Sequence, residues 1–136
     1  MAEDTQLGGR IDFMTHDFRQ LQPVKDADAY LICQYITNWS DRDLVSIFQQ
    51  LIPALKPGAR LLICDRKWQA LGTDSDVDVL EHRRVDMIVL ANTNGRVRNL
   101  EEILKVLEMA ASRFKWEDLH TVNGSPFMVV EMIWKP

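Results

Sequence analysis

Two short, almost entirely apolar runs constrain the fold of this 136-residue chain more than any other feature. They span residues 28–33 and 60–65, and their length and lack of alternation predict two strands buried on both faces of a sheet. Between them, Ser40 is placed to cap a helix whose apolar residues recur with helical spacing. A strand, a helix and a second strand in this order predict an α/β fold.

The remaining segments predict a single domain over residues 10–136, preceded by a polar lead-in of residues 1–9. Residues 10–14 alternate between polar and apolar, which is the pattern of a short strand. Residues 79–91 have helical spacing but are apolar on more than one face, which predicts burial against something outside this domain. Asn99 is placed to cap the amphipathic helix that follows.

The end of the chain is predicted to be a β-hairpin. Two runs with strand character, residues 116–122 and 127–134, flank an Asn-Gly-Ser-Pro turn at 123–126. The predicted order is strand, strand, helix, strand, helix, helix, strand, strand. The fold class is therefore α/β, with a sheet that begins parallel and ends antiparallel.

Charge and composition exclude several classes of function. The net charge is -4 and the isoelectric point is about 5.3, which argues against nucleic acid as a partner. No apolar run approaches the roughly 18 residues of a membrane span, and the N-terminus lacks the pattern of a secretory signal. We therefore expect a cytoplasmic protein with no membrane partner. Cys33 and Cys64 lie in apolar runs and are predicted to be buried free thiols, with neither a disulfide nor a metal site.

Several motifs, taken together, match those of a known family. The most specific are Asn-Trp-Ser-Asp at 38–41 and Leu-Ile-Pro-Ala-Leu-Lys-Pro-Gly-Ala-Arg-Leu-Leu-Ile at 51–63. His-Asp-Phe at 16–18, Asp-Met at 86–87 and Asn-Gly-Arg at 94–96 add to the match. They resemble the C-terminal half of a class I S-adenosylmethionine-dependent O-methyltransferase of plant and fungal small-molecule metabolism. The resemblance implies a partial Rossmann-like sheet with helices on both faces and an antiparallel C-terminal hairpin.

The same resemblance implies that the methylation machinery is incomplete. The family binds its cofactor through a Gly-rich turn and an acidic strand end, and this sequence contains neither. Where the family has its catalytic histidine, this chain has Thr37, whose hydroxyl cannot take a proton from a phenol at neutral pH. Cys33 stands where a basic residue often contacts the cofactor. Asp17 matches the acid that meets the adenine ring, a vestigial contact, so we expect no cofactor and a lost S-adenosylmethionine site.

Two residues are predicted to transfer protons in a different reaction. Asp65 ends a central strand, where open α/β sheets bind ligands, and the resemblance gives it the place of a glutamate that orients the base. His16 lies at the end of the earlier predicted strand. The alternatives are that Asp65 caps its strand or pairs with Arg66 or Lys67, and that the histidine is structural.

Four further residues are predicted to contact a substrate. Trp39 and Met87 are the predicted apolar walls, and Thr37 and Asn92 the predicted polar contacts. The alternative for Trp39 is that it fills space left by the missing half of the family domain. The alternative for Met87 is that it belongs to a core or a dimer interface.

These features predict a protein of fungal polyketide or related secondary metabolism that does not methylate. It is expected to bind an aromatic or polyene intermediate and to promote cyclisation, dehydration or isomerisation by acid–base catalysis. Two alternatives stay open: a non-catalytic partner subunit of a synthase or methyltransferase, or one half of a split O-methyltransferase.

The chain is also predicted to form a homodimer or a hetero-complex with a biosynthetic enzyme. Without the missing strands of the family sheet, residues 30–33 form an apolar edge whose backbone groups invite another strand. An inward shift of residues 10–14 is strained, because a parallel pair needs a crossover of about a dozen residues or more. We expect a two-fold dimer that uses this edge, the stripe at 85–91, or both.

Overall fold

The computed structural model describes residues 9–67 and 76–136. Two 3₁₀ turns, Ile36–Asn38 and Ile52–Ala54, precede and follow the first helix. The elements in chain order are β1 (Ala29–Cys33), α1 (Asp41–Leu51), β2 (Arg60–Arg66), α2 (Asp76–Thr93), α3 (Leu100–Ala110), β3 (Phe114–Thr121) and β4 (Phe127–Trp134). The predicted α/β class is confirmed, as is the predicted order of elements from β1 onward.

The described sheet has four strands in the order β1-β2-β4-β3. β1 and β2 are parallel, with Cys33 directly opposite Cys64, and β4 is antiparallel to both β2 and β3. Parallel pairing is possible because α1 forms the crossover between β1 and β2. The antiparallel end follows from the short turn between β3 and β4, where Gly124 has a φ of 77°. The predicted change from parallel to antiparallel is confirmed.

Side-chain caps fix the starts of α1 and α3. The Ser40 hydroxyl accepts a hydrogen bond from the Asp43 backbone N–H at 3.2 Å, as its position predicted. The Asn99 side chain accepts from the Glu102 N–H at 2.8 Å, and Glu102 accepts from the Asn99 N–H at 2.9 Å. These reciprocal bonds form a capping box, so α3 begins where the sequence predicted.

The core lies on the sheet face that α1 and α3 cover. Leu61 and Ile63 of β2 and alternate residues of β4 pack there against the apolar stripes of both helices. On the opposite face, Leu31 is 65% exposed, Cys33 is exposed and Cys64 is half-buried. The predictions that both apolar runs are buried on two faces and that both thiols are buried are therefore wrong. The reason is that β1 is an edge strand and the described core covers only one of its faces.

Residues 10–14 do not form the predicted strand. They have no regular structure, and Phe13 is 83% exposed. A strand persists only where its backbone groups find partners, and this segment pairs with none of the described strands. Within residues 9–67 and 76–136, the edge of β1 away from β2 therefore has no strand beside it.

α2 is longer than the predicted 79–91 and carries exposed apolar side chains. Met87 is 72% exposed, Ile88 51% and Leu90 58%. These residues belong to the stripe predicted to pack outside the domain, and the predicted dimer through them stays a prediction. None of the helices in the described ranges is both long and apolar enough to cross a membrane.

Candidate functional site

β1 and β2 end on the same side of the sheet, and Asp65 holds the loop that follows β1. This carboxylate, 2% exposed, accepts hydrogen bonds from the backbone N–H groups of Ile36 and Thr37 at 3.0 and 3.4 Å. It also accepts from the Arg66 N–H at 2.7 Å and from the Thr37 hydroxyl at 3.0 Å. These contacts match the alternative in which Asp65 caps its strand end, and they also hold the 3₁₀ turn in place.

Thr37 is buried, and its hydroxyl donates to Asp65 Oδ1. It occupies the position where the resemblance places a catalytic histidine. A hydroxyl that donates to a carboxylate does not serve as a base. In this geometry Thr37 supports the loop.

A buried arginine joins the same loop to the segment before α3. The Arg98 guanidinium, 1% exposed, donates to the backbone carbonyls of Ile36 at 2.8 Å and Trp39 at 2.7 Å. It also donates to Asp41 Oδ1 at 2.9 and 2.7 Å, which offsets its charge. Arg98 and Asp41 lie 57 positions apart, so sequence spacing gives no signal of this pair.

Two arginines keep the Asp41 carboxylate charged. Partial burial opposes ionisation, but hydrogen bonds from Arg98 and Arg96 outweigh it and lower the pKa of Asp41. Arg96 donates to Asp41 at 3.1 Å and also to Glu102 of the capping box. Burial opposes ionisation of Glu102 as well, yet hydrogen bonds from the Asn99 backbone and Arg96 lower its pKa. One ionic network thus joins the first turns of α1 and α3.

Gly95 allows the segment before α3 to approach the loop backbone closely. A Cβ atom at this position would lie 2.0 Å from the Thr37 carbonyl oxygen and 2.9 Å from the carbonyl carbon of Asn38. Only glycine avoids that collision. Asn94, with a φ of 55°, bends the chain just before it, where the sequence predicted a turn.

A cavity of about 310 Å³ lies between the segment 16–22, β1 and α1. The segment is held along α1 by a hydrogen bond from the Gln22 N–H to the Gln50 carbonyl at 3.1 Å. Most of the wall is aromatic or aliphatic, and one histidine and three glutamines supply polar groups. The lining residues are His16, Phe18, Gln20, Gln22, Tyr30, Leu31, Ile32, Cys33, Tyr35, Ile47, Phe48, Gln50 and Leu51. Among these described residues there is no Asp, Glu, Lys or Arg, so the cavity suits an uncharged, largely apolar ligand.

Three aromatic side chains cluster at one side of the cavity. The Phe18 ring centroid lies 4.4 Å from that of Tyr35 and 5.5 Å from that of Trp39. The Tyr35 hydroxyl and Trp39 Nε1 are buried in neighbouring rings whose centroids lie 5.7 Å apart, and neither atom makes a hydrogen bond of normal geometry within the described ranges. Burial raises the pKa of Tyr35 to about 12, so its hydroxyl remains a donor at neutral pH. This polar atom lies beside an apolar wall, where a ligand oxygen would satisfy it.

The structure brings only some of the predicted site residues to the cavity. His16 lines it, and Trp39 contacts two rings of its wall. Asp65 is not among the lining residues, so the two predicted proton-transfer groups do not share the cavity. Met87 and Asn92 are exposed on α2 and lie outside the lining.

Asp17, the predicted adenine contact, is exposed and engaged by Arg19. The Arg19 Nε and Nη2 atoms donate to its two oxygens, each at 3.0 Å. These hydrogen bonds lower the pKa of Asp17. The structure therefore gives this carboxylate an arginine partner within its own turn. In the part of the chain that the structure describes, no group of His, Cys, Asp and Glu is arranged to hold a metal ion.

Sequence reasoning missed three features of this region: the Tyr35 hydroxyl, the cavity glutamines and the Arg98 network. In the segment 16–22, the sequence indicated His16 as a site residue but did not indicate that Phe18, Gln20 and Gln22 line the same cavity. Gly95 was identified as part of a turn, and its close approach to Thr37 depends on the fold.

The chain is similar to known proteins in sequence. Residues 2–113 match the model of an O-methyltransferase domain family. The chain is 37% identical over 132 residues to the O-methyltransferase AMT9 of Alternaria alternata. It is 37% identical over 134 residues to the chlorophenol O-methyltransferase of Trichoderma longibrachiatum. These matches cover 96% and 98% of the chain, which spans 31% and 29% of the two relatives.

Solved structures share the fold. TnmH superposes with a TM-score of 0.83 at 20% identity, covering 97% of this chain and 37% of that one. A protein described as a pericyclic reaction enzyme superposes with a TM-score of 0.76 at 17% identity, covering 90% of this chain and 30% of that one. At these identities the likeness shows the fold alone.

Proposed function

The chain belongs to the O-methyltransferase domain family, and from that premise we propose that it is a cytoplasmic, non-methylating member that binds an aromatic or polyene secondary metabolite. Fungal O-methyltransferases are among its relatives, one of them from a grayanic acid biosynthesis cluster of Cladonia grayi. The chain spans about 31% of the AMT9 relative, so the proposal concerns the chemistry of this portion's own residues.

The cavity beside β1 is the observation that carries the proposal. Its volume of about 310 Å³ lies at the lower end of the roughly 300–1,000 Å³ typical of ligand sites, which suits a compact aromatic ligand. Phe18 offers an aromatic wall, and Tyr35 and the glutamine amides offer hydrogen bonds to a phenolic or carbonyl oxygen. The ligand class follows from this combination of apolar wall and neutral polar groups.

The same residues do not fit S-adenosylmethionine. When they leave water, a sulfonium and an amino-acid group need charged partners, and ribose hydroxyls need hydrogen-bond partners. The cavity wall contains no carboxylate and no basic side chain other than His16, and Arg19 already engages both oxygens of Asp17. We therefore infer that this portion of the chain does not hold the methyl donor.

Within the cavity, we assign proton transfer to His16, for a cyclisation, dehydration or isomerisation of the bound molecule. Asp65 acts at a distance from the substrate, since its hydrogen bonds position the loop that carries Tyr35 and Trp39. The walls orient the substrate, and orientation supplies much of the barrier lowering in such reactions. The fold also occurs in a pericyclic reaction enzyme, so it does not restrict this chain to methyl transfer.

Calorimetric titration with a chlorophenol tests binding in the cavity. Phe18→Ala removes a wall of the cavity and should weaken binding about tenfold or more. Phe13→Ala is the matched control, because Phe13 is 83% exposed and outside the lining. Equal effects of the two substitutions, or no heat of binding to the unaltered chain, would contradict the proposal.

Metabolite profiling after gene deletion tests catalysis separately. An accumulated intermediate that the purified chain converts, and that the His16→Gln chain binds but does not convert, supports the enzyme. Conversion that requires a second protein supports a partner role instead.

The free edge of β1 favours a second candidate, in which this chain is one half of a split O-methyltransferase or a partner subunit. The Gln34 N–H donates to the Cys64 carbonyl, and the Asp28 carbonyl accepts from the Arg60 N–H. Because backbone groups alternate in direction along a strand, those of every second residue between them point away from β2. Those residues are Ala29, Leu31 and Cys33. Their backbone groups can pair with a strand of another chain. Light scattering of a mixture with the N-terminal portion of the Trichoderma relative would show a one-to-one complex if this candidate is right, and two separate species if it is wrong.

A further inference from the structure

The two cysteines of the chain lie side by side on adjacent strands. Cys33 of β1 is the direct partner of Cys64 of β2 in the parallel register, so both side chains project from the same face of the sheet. Neighbouring strands lie about 4.8 Å apart, within the roughly 4.4–6.8 Å between Cα atoms that a disulfide spans.

The accessibility of the two thiols differs. Cys33 is exposed at the edge strand, whereas Cys64 is half-buried on the inner strand. Burial, the Cys33 thiol and the negative charge of Asp65 raise the pKa of Cys64. Cys33 is therefore the thiol that meets a reagent first, and Cys64 reacts after it.

We propose that Cys33 and Cys64 form a redox-active dithiol, which low-molecular-weight disulfides such as oxidised glutathione convert into a disulfide joining β1 to β2. The proposal is independent of any methylation or ligand-binding role. The pairing was not visible in the sequence, because 30 residues separate the two cysteines and only the parallel register places them together.

The reaction is two successive thiol–disulfide exchanges. The Cys33 thiolate attacks one sulfur of oxidised glutathione, the glutathione S–S bond breaks, and one glutathione thiolate leaves. The Cys64 thiolate then attacks the Cys33 sulfur of the mixed disulfide and displaces the second glutathione. Two protein thiols are oxidised, one glutathione disulfide is reduced to two thiols, and the two protons end on the released glutathione.

The cross-link has a structural consequence at the edge of the sheet. β1 pairs with only one strand within the described ranges, and Cys33 also lines the cavity. A bond from Cys33 to Cys64 encloses α1 and the loop before it in a covalent ring. Closing that ring restricts the unfolded chain, so the oxidised protein should melt about 5–10 °C higher than the reduced protein.

Intact mass spectrometry of the full chain, incubated with oxidised glutathione, tests the proposal. The expected product is a monomeric chain lighter by two hydrogen atoms, with a Cys33–Cys64 cross-linked peptide after proteolysis and the higher melting temperature. Accumulation of glutathione on one or both cysteines without closure would overturn the proposal, as would a chain that stays reduced or cross-links between molecules.

Two single variants separate the steps. Cys64→Ser should stop at the mixed disulfide and retain one glutathione on Cys33, because the resolving thiol is gone. Cys33→Ser should take up glutathione at least tenfold more slowly, because only the half-buried Cys64 remains. Equal rates in the two variants would contradict the assigned order of attack.

Discussion

At the scale of single residues, most polar groups where β1 and β2 end are engaged in holding backbone. Asp65 accepts from Ile36 and Thr37, and Arg98 donates to the carbonyl groups of Ile36 and Trp39. His16 and Tyr35, which line the cavity, have no such role in the described contacts. The residues proposed to act on a ligand therefore differ from those that support the loop.

Replacing Arg98 should destabilise the protein far more than replacing its exposed neighbour. Arg98→Ala leaves buried carbonyl groups unpaired, and we expect a loss of about 3 kcal/mol in the free energy of unfolding. Arg96→Ala removes an arginine that pairs with the same Asp41 but is exposed, and should cost less than about 1 kcal/mol. Urea denaturation of both variants measures the difference. Similar losses in the free energy of unfolding for the two variants would show that the burial of Arg98 does not contribute to stability.

Local residue roles were more predictable than distant ones. The caps Ser40 and Asn99 were identified from their position before an apolar period, because a cap acts within its own helix turn. Arg98 was not identified, because its partner Asp41 is brought to it only by the packing of α1 against α3. Asp65 was predicted to be a proton-transfer residue, whereas its hydrogen bonds in the structure hold the loop after β1.

At the scale of elements, the contact between the segment before α3 and the 3₁₀ turn depends on one glycine. Gly95→Ala puts a Cβ atom 2.0 Å from the Thr37 carbonyl oxygen, and backbone must move to relieve it. We expect a loss of about 3 kcal/mol in the free energy of unfolding, measured by thermal or urea denaturation.

Gly58→Ala is the control for replacing a glycine where the added Cβ atom meets no close neighbour. The added Cβ meets no atom within 4 Å, and only the left-handed φ of 80° opposes it, at a cost of about 1 kcal/mol. If Gly95→Ala lowered the free energy of unfolding no more than Gly58→Ala, the close approach of Gly95 to the 3₁₀ turn would be contradicted.

The ionic network between α1 and α3 should make stability depend on pH. The pKa values of Asp41 and Glu102 are lower in the folded chain, so the folded state binds fewer protons than the unfolded state as pH falls. Their contribution is complete above about pH 5 and is lost as pH falls below about 4, through the lowered pKa values. In urea denaturation across this range, the free energy of unfolding of Asp41→Asn should fall less steeply with decreasing pH than that of the unaltered chain. A variant profile as steep as that of the unaltered chain would exclude this role for Asp41.

Helices and strands with a clear period of apolar residues were predicted well. Features that depend on a neighbouring strand or layer were not. α1, α3, β2 and the hairpin were located closely because period, caps and turn residues agreed. The strand at 10–14 failed because alternation cannot supply the partner that a strand needs. Burial of β1 on both faces failed for a related reason, since the sequence does not show where a sheet ends.

At the scale of the whole molecule, the exposed apolar surfaces predict a two-fold dimer. Leu31 on the free edge of β1 is 65% exposed, and Met87 on α2 is 72% exposed. Light scattering at micromolar concentration should show twice the 15.7 kDa chain mass. Leu31→Lys should abolish the dimer if the strand edge forms the interface, and Met87→Lys should do so if α2 does. A monomer in the unaltered chain would contradict the prediction.

The central claim is that this portion of an O-methyltransferase fold binds an aromatic ligand and does not hold the methyl donor. Calorimetric titration of the full 136-residue chain with S-adenosylmethionine, with a chlorophenol titrated in parallel, tests it most directly. The cavity chemistry predicts measurable heat with the chlorophenol and none with S-adenosylmethionine. Micromolar affinity of the chain alone for S-adenosylmethionine would contradict the account.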